Sequence, residues 1–321
     1  MGFHLPIQDW RSQSIGPAQR AGNSIFTLEH ALAKDADGKV VVEQAYVDFL
    51  LSQPFNVRVG RVLTPLGIIN KKHEPTTFNG VERPSFTHDI IPTTWPQDGI
   101  GAFGQITQNL SYEAYVSNGL DGSNMDPAGG LRGGRMTERP GLNDGAVSGR
   151  VDYQMLEQFR LGASGYVGGL DNSDQGGESG VDTNVRIVSA DFEWSVQDFD
   201  LRGVIAHNKI DDGDELPQGV GEEMFGWYLE AAYHFWPQVW RTGKLENADA
   251  TAFVRYDDWD TNHEMPSGVP ADDSLDREEV TVGVDFKPVQ NFVVKADYQF
   301  RDHEGTGDPA DGFNLGVGWE F

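Results

Sequence analysis

Apolar and polar residues alternate along most of this chain, in segments of about ten residues. In the last segment, Gly312–Phe321, five large apolar residues share one side and glycine, asparagine and glutamate share the other. Successive side chains of a β-strand point to opposite faces, so this segment is predicted as a strand with one oily face and one small or polar face. About 14 segments follow this pattern, at Ser24–Ala33, Val40–Leu51, Phe55–Leu63, Gly99–Thr107, Leu110–Asn118, Ala146–Gln154, Gln158–Val167, Asn184–Val196, Phe199–Lys209, Met224–Trp236, Ala250–Trp259, Glu279–Lys287, Phe292–Arg301 and Gly312–Phe321. None has a sustained helical period, which predicts an all-β fold.

The connections between these segments alternate between short and long. Short turns are expected at 52–54, 108–109, 155–157, 197–198 and 288–291. Long loops are expected at 34–39, 64–98, 119–145, 168–183, 210–223, 260–278 and 302–311. Strands of about ten residues suit a tilted membrane crossing. Short turns on one side and long loops on the other are typical of an outer-membrane barrel. The pattern therefore predicts a transmembrane antiparallel β-barrel of about 14 strands, with short periplasmic turns and long outer loops.

Composition excludes several other classes. The 321 residues include no cysteine, which excludes a disulfide scaffold and a zinc–thiolate site. The net charge of -26 argues against nucleic acid as a partner. No run reaches the roughly 18 to 20 apolar residues of a membrane helix. No secretory signal is visible at the amino end, so we expect either a mature form or a missing amino end.

Charged residues fall in two places, the long loops and the inward strand faces. For the acidic loops, such as Asp211–Glu215, three interpretations stay open: solvated surface, divalent bridges to lipopolysaccharide phosphates, or a calcium site. No resident metal or cofactor is predicted. Charges opposite lipid-facing residues must face water, so they predict a wet lumen, with a role as wall-bracing ion pairs or as a selectivity field. The predicted lumen charges are Arg150, Arg160, Arg186, Arg202, Arg255, Lys295, Asp191, Asp257 and Asp297.

The longest loop, Thr64–Asp98, differs from the other loops. It is less acidic, and it carries apolar anchors such as Phe78, Phe86 and Trp95. A loop folded into the lumen needs such anchors, whereas an outer cap does not; both placements stay open. If the loop folds inward, it would narrow the pore, with a predicted constriction formed by Arg58, Arg61, Lys71, Lys72, His73, Glu74, Arg83 and His88.

Two parts of the chain resemble known families. The aromatic end with Trp319 and Phe321 resembles the C-terminal signature of Gram-negative outer-membrane barrels, which implies recognition by the barrel-assembly machinery. The runs Val42–Phe49, Phe55–Arg61 and Pro65–Gly67 resemble the phosphate-selective porin O and P family, and the segment from His73 to Gly101 resembles a porin-like branch of unassigned substrate. That resemblance implies a trimeric 16-stranded pore with an inward loop. The mixed inward charges depart from the many basic residues of its phosphate-selective members.

These observations predict residues 24–321 as the barrel and 1–23 as an amino-terminal remnant or partial strand, with about 16 strands in a full-length parent. The predicted function is a porin of the bacterial outer membrane for passive diffusion of small hydrophilic solutes or ions. Its expected partners are outer-membrane lipid, lipopolysaccharide and further copies of the chain. Alternatives are a sleeve or docking scaffold for a periplasmic partner, a soluble β-protein, and an outer-membrane enzyme. The enzyme is disfavoured because the histidines are scattered and no nucleophile elbow is present.

Overall fold

The computed structural model describes residues 25–34, 40–307 and 309–320. They form one antiparallel sheet, which confirms the predicted fold class and the strand count of about 14. The strands are β1 (Ile25–Lys34), β2 (Val40–Ser52), β3 (Phe55–Leu63), β4 (Pro96–Gln105), β5 (Leu110–Asn118), β6 (Gly145–Leu156), β7 (Phe159–Gly169), β8 (Asn184–Val196), β9 (Phe199–Ile210), β10 (Glu223–His234), β11 (Asp249–Glu264), β12 (Asp276–Val289), β13 (Phe292–His303) and β14 (Gly312–Trp319). The described part contains one short α-helix, α1 (Phe86–Asp89), and several 3-10 turns. The predicted remnant at 1–23 lies outside the described residues.

Every strand pairs with its neighbours in chain order, from β1 through to β14. Among the described residues no ladder joins β14 to β1. Short turns alternate with long loops as the sequence predicts; β8 and β9, for example, are joined by Gln197 and Asp198 alone. Neighbouring hairpins therefore stack side by side into one continuous wall.

The two faces of this wall differ sharply along each strand. On β8, Val188 is 61% exposed, whereas its neighbours Ile187 and Ser189 are buried. On β14, Phe313 and Leu315 are each 71% exposed on the outward face. Exposed apolar residues repeated at every second position along many strands form a continuous outward belt, which is the surface that a bilayer covers.

Residues 64–95, between β3 and β4, lie inside the curve of the sheet. The Lys71 ammonium pairs with Glu113 on β5. The Asn79 amide donates to Glu230 on β10 at 2.7 Å, and the Val81 amide donates to Asp297 on β13. A single loop can reach strands so far apart in the sheet only if the sheet curves around it. We call residues 64–95 the lumen loop.

The largest apolar core lies between the lumen loop and the inner face of the wall. The Trp95 and Tyr166 rings lie 4.8 Å apart, and the Phe86 and Tyr228 rings lie 6.1 Å apart. Burial of each large apolar side chain contributes about 1.5–3 kcal/mol. From the loop come Leu66, Ile68, Ile69, Phe78, Phe86, Ile90, Ile91 and Trp95, and from strands β7 to β11 come Tyr166, Val185, Ile187, Val204, Ala206, Ile210, Met224, Tyr228 and Trp259. The apolar anchors thus hold the loop against one side of the lumen.

Candidate functional site

Buried ion pairs cover much of the inner wall around the lumen loop. Arg150 contacts Asp191 at 2.7 Å and Asp152 at 2.8 Å, and all three lie on the inward face. Removing water from a charged group is costly unless a partner of opposite charge compensates it. In each pair the carboxylate compensates the buried guanidinium. Similar pairs are Arg58–Asp48, Arg160–Glu193, Arg202–Glu230 and Arg255–Asp257.

The middle of the lumen loop is bonded to the opposite wall. Lys295 is 3% exposed, and its ammonium donates to the carbonyls of Phe78 and Gly80, each at 2.7 Å. The Asp285 carboxylate accepts from the Gly80 amide at 3.3 Å. Lys287 donates to the Thr76 carbonyl at 2.7 Å. We call residues 75–82 the strap, because these charged side chains tie its backbone to β12 and β13.

The strap also lies directly on β14. A methyl group placed on Gly318 would lie 2.3 Å from Cβ of Pro75, and one on Gly316 would lie 2.9 Å from Cγ1 of Val81. Only glycine leaves room for this approach. The small face of the last strand, which the alternation revealed, is therefore the surface that receives the strap.

The two ends of the lumen loop are fastened by one buried side chain. The Asn70 amide donates to the Thr64 carbonyl at 2.6 Å, and its oxygen accepts from the Trp95 amide at 2.8 Å. Asn70 has no exposed surface. The loop is thus closed at its base, which fixes the position of the residues that follow.

Four consecutive predicted constriction residues follow Asn70. The Lys71 and Lys72 ammonium groups pair with Glu113 and Glu193 on the wall, the second pair at 2.8 Å. His73 is buried, with Nδ1 3.1 Å from the Asn70 carbonyl and Nε2 3.2 Å from Glu43 on β2. Glu74 lies 3.8 Å from the same imidazole. The structure brings these residues together, but it matches each lysine with a carboxylate.

Three arginines near the outer side of the lumen loop lack such a match. Arg83 donates to the Thr94 hydroxyl at 3.0 Å and to the His73 carbonyl at 3.1 Å. Arg132 donates to the Thr93 carbonyl at 2.6 Å, and Arg135 donates to the Thr94 carbonyl. Within the described residues none of the three arginines forms an ion pair with a carboxylate. We call Arg83, Arg132 and Arg135 the arginine cluster.

The electrostatics of the arginine cluster favour a counter-ion. Burial, together with repulsion from Arg132 and Arg83, lowers the pKa of Arg135 to about 9. Burial lowers the pKa of Arg83 despite nearby Glu43, Glu74 and Glu82, and burial with repulsion from Arg83 lowers that of Arg132. Three neighbouring guanidinium groups repel one another, and an incoming anion would relieve this repulsion.

A cavity of about 680 Å³ opens beside the arginine cluster. It lies between the lumen loop and the β13–β14 wall. Arg83, Arg132 and Arg301 supply its arginines, and Glu82 and Asp89 supply its carboxylates. Asp89 contacts Arg277 at 3.3 Å and Arg301 contacts Glu279 at 3.1 Å, so these two charges are already matched. The other lining residues are His73, Pro75, Phe78, Val81, Ser85, His88, Thr93, Trp259, Gln299 and Asn314.

Two predicted residues lie elsewhere. Arg186 has the strand parity of Val188, lies on the outward face, and pairs with Asp211 at 2.9 Å. It therefore does not belong among the lumen charges. Arg61 has the parity of outward Val59 and is bonded to Asp98 and the Thr137 carbonyl, so it lies on the opposite face from Arg58.

The remaining predicted residues are placed as follows. The other lumen charges, Arg150, Arg160, Arg202, Arg255, Lys295, Asp191, Asp257 and Asp297, lie on the inward face. His88 is on α1 at the cavity and contacts Asp89. Trp319 is 56% exposed on the outward face, and Phe321 lies outside the described residues.

Sequence reasoning missed Arg132, Arg135 and Glu43. The two arginines occur in the run Leu131-Arg-Gly-Gly-Arg135, which is basic and glycine-rich among acidic loops. That local contrast was the available signal. Their approach to Arg83 depends on how the loop after β5 folds toward the lumen loop, and local pattern does not specify this.

Two other features are absent from the described residues. No group of three or more His, Asp or Glu side chains is placed to hold a metal ion. No helix there is long and apolar enough to span a membrane.

A wall of alternating strands with an apolar outer face, ionic inner pairs and an inward loop defines a membrane channel. The chain belongs to the phosphate-selective porin O and P family, whose model matches residues 21–316. A protein of Aquifex aeolicus that is described as uncharacterised is 30% identical over 317 residues, which cover 93% of this chain and 70% of that protein.

Solved porins share the fold. The Salmonella typhi OmpF structure superposes with a TM-score of 0.57 at 14% identity, and covers 93% of this chain and 86% of OmpF. An anion-selective porin from Comamonas acidovorans gives a TM-score of 0.50 at 12% identity, with 92% of this chain and 95% of that porin covered. The protein is therefore an outer-membrane β-barrel that allows passive diffusion. Family and neighbours point to a channel rather than an enzyme.

Proposed function

We propose that this channel prefers small anions, and that the arginine cluster makes the selection. The observation that carries the proposal is the contrast between Arg83, Arg132 and Arg135, which have no carboxylate partner among the described residues, and the paired arginines of the wall. Rings of arginine or lysine side chains are a usual basis of anion selectivity in pores. The matched Lys71 and Lys72 contribute less to this field.

The overall charge of -26 does not oppose this preference. At physiological ionic strength, salt screens the interactions of exposed charges beyond about 8 Å. The acidic residues of the outer loops therefore have little electrostatic effect at the lumen loop. A guanidinium about 6 Å from a permeating anion contributes about 0.7 kcal/mol even at the dielectric constant of water. This corresponds to about a threefold change in relative permeability for each charge.

The comparisons support the proposal at the level of class. The family is described as phosphate-selective, and the Comamonas neighbour is described as an anion-selective porin. Phosphate is therefore one candidate solute among small anions. Its identity as the solute of this channel is a prediction.

The test is a reversal-potential measurement in a planar bilayer with a potassium chloride gradient. We expect the wild-type channel to favour chloride, and the R83Q/R132Q variant to lose this preference by up to about tenfold, from two charges. Arg301→Gln is the matched control, because Arg301 also lines the cavity but is paired with Glu279. An unchanged reversal potential in R83Q/R132Q would remove the arginine cluster from the proposal. Purified protein without conductance steps would contradict the channel itself.

Three further parts of the interpretation remain predictions. The chain is expected to form a homotrimer, which native mass spectrometry in detergent would test. Lipopolysaccharide and the barrel-assembly machinery are expected partners. A sleeve role would require a stoichiometric periplasmic protein to co-purify with the barrel.

A further inference from the structure

One turn on the periplasmic side is much longer than the others. Residues 235–248 join β10 to β11, whereas two residues join β2 to β3, β6 to β7, β8 to β9 and β12 to β13. The turn contains two 3-10 segments, Gln238–Trp240 and Gly243–Leu245. We call residues 235–248 the periplasmic ledge.

The periplasmic ledge folds back over the outward face of the barrel. The Trp236 ring lies 5.0 Å from the Phe286 ring, and Phe286 shares the outward face of β12 with exposed Val284. Ala250, which is paired with Phe286 on the next strand, is only 5% exposed, whereas outward Val254 on the same strand is 47% exposed. The ledge thus covers the bottom of the lipid-facing wall at β11 and β12.

The far side of the ledge presents apolar surface with basic residues beside it. Val239 is 79% exposed and Trp240 is 55% exposed, and the Trp240 ring packs 5.2 Å from Trp236. Lys244 is exposed, and the half-buried Arg241 guanidinium donates to the Ala248 carbonyl at 2.9 Å. Two basic residues against the single acid Glu246 are unusual in a chain of net charge -26.

We propose that the periplasmic ledge is a binding site for anionic phospholipid in the periplasmic leaflet. The ledge continues the outward apolar surface, so Val239 and Trp240 enter the boundary between headgroups and acyl chains, where tryptophan is favoured. Lys244 and Arg241 then lie at the level of the lipid phosphate. Their attraction to an anionic headgroup is the term that a zwitterionic lipid cannot supply. This inference rests on the membrane placement of the barrel and is independent of the anion preference.

The first test locates the ledge relative to the bilayer. Because the chain has no cysteine, Val239→Cys gives a single site for a bimane label. Leu142→Cys is the matched control, since Leu142 is 78% exposed but lies in an outer loop. In phosphatidylglycerol–phosphatidylethanolamine vesicles, we expect lipid carrying a shallow doxyl group to quench the label at 239 and not at 142, and aqueous iodide to do the reverse. Iodide quenching at 239 equal to that at 142 would overturn the proposal. Absence of lipid quenching at 239 would also overturn it, and this is the result expected if a protein partner covers the ledge.

The second test concerns the headgroup. The bimane at Val239→Cys is the reporter again, with Arg241 and Lys244 unchanged. We expect doxyl-labelled phosphatidylglycerol, as a minor component of the vesicles, to quench it more than doxyl-labelled phosphatidylcholine does at the same mole fraction. Lys244→Gln with Arg241→Gln should reduce this preference, by about fivefold for each charge. Arg186→Gln is the control, since this exposed outward arginine lies at the other end of the barrel. A preference that survives the double substitution would overturn the role of the two basic residues. Heat-modified gel mobility shows whether each variant is folded.

Discussion

Gly318 provides a direct test of how firmly the strap is seated. A methyl group on Gly318 would lie 2.3 Å from Cβ of Pro75, whereas ordinary contacts begin near 3.4 Å. In a Gly318→Ala variant, Pro75 must therefore move by about 1.1 Å. The neighbouring residue Thr76 donates to Glu320 at 2.6 Å and accepts from Lys287 at 2.7 Å. If Thr76 moves with Pro75 away from its partners, a displacement of this size takes both bonds beyond hydrogen-bonding distance.

The expected cost follows from those two bonds. Hydrogen bonds to charged groups contribute about 1.5–3 kcal/mol each, and overpacking adds about 1–3 kcal/mol. Partial relaxation of the strap reduces the sum, so we expect a loss of about 3 kcal/mol. A strap released from β14 also moves within the lumen, so the open channel should show a larger mean conductance and more current noise.

The assay pairs single-channel recording with the temperature at which the folded band disappears on a gel. Gly312→Ala is the matched control, because a methyl group there meets only the far ends of the flexible Gln299 and Arg301 side chains, at 3.2 and 3.5 Å. The reasoning is refuted if Gly318→Ala and Gly312→Ala give the same noise, conductance and heat stability.

Two further predictions concern charge. Arg150→Met should destabilise the barrel by about 3 kcal/mol, because the buried Asp191 loses the arginine that contacts it at 2.7 Å and keeps only Arg160, at 3.2 Å. Arg186→Met, at an exposed outward site, should change little. Equal denaturation midpoints for the two variants would contradict the assignment of Arg150 as a bracing residue. The anion preference should stay constant from about pH 6 to about pH 8, because the pKa of Arg135 is lowered only to about 9 and a base stays protonated below its pKa. Reversal potentials that shift across this range would assign the field to groups other than the arginine cluster.

The fold could be predicted because strand alternation is a local property. Each strand shows which residues share a face, and turn lengths show which end of each hairpin is which. The same parity places Arg61 with outward Val59 and Arg186 with outward Val188, and the structure follows it. Charge and proximity to the lumen loop point instead to the lumen, and for these two residues they are the weaker signals.

The site could be predicted only in part. Lys71 to Glu74 are consecutive and fall in one distinctive loop, so their grouping was visible. Whether Lys71 is free or paired depends on Glu113, which lies 42 residues away, and the arginine cluster joins two loops. Such long-range contacts depend on the curvature of the whole sheet, which cannot be predicted from a local sequence pattern.

The apolar core between the lumen loop and strands β7 to β11 divides the barrel into two halves with different tolerance to change. Residues such as Ile187 and Tyr228 are enclosed between lipid and loop, so most substitutions there would carry the cost of a damaged interior. Arg83, Arg132, Arg301 and Asn314 face the cavity, so a new side chain at these positions changes mainly which solutes pass. The channel can therefore diversify its solutes along one side while the other side keeps the fold unchanged.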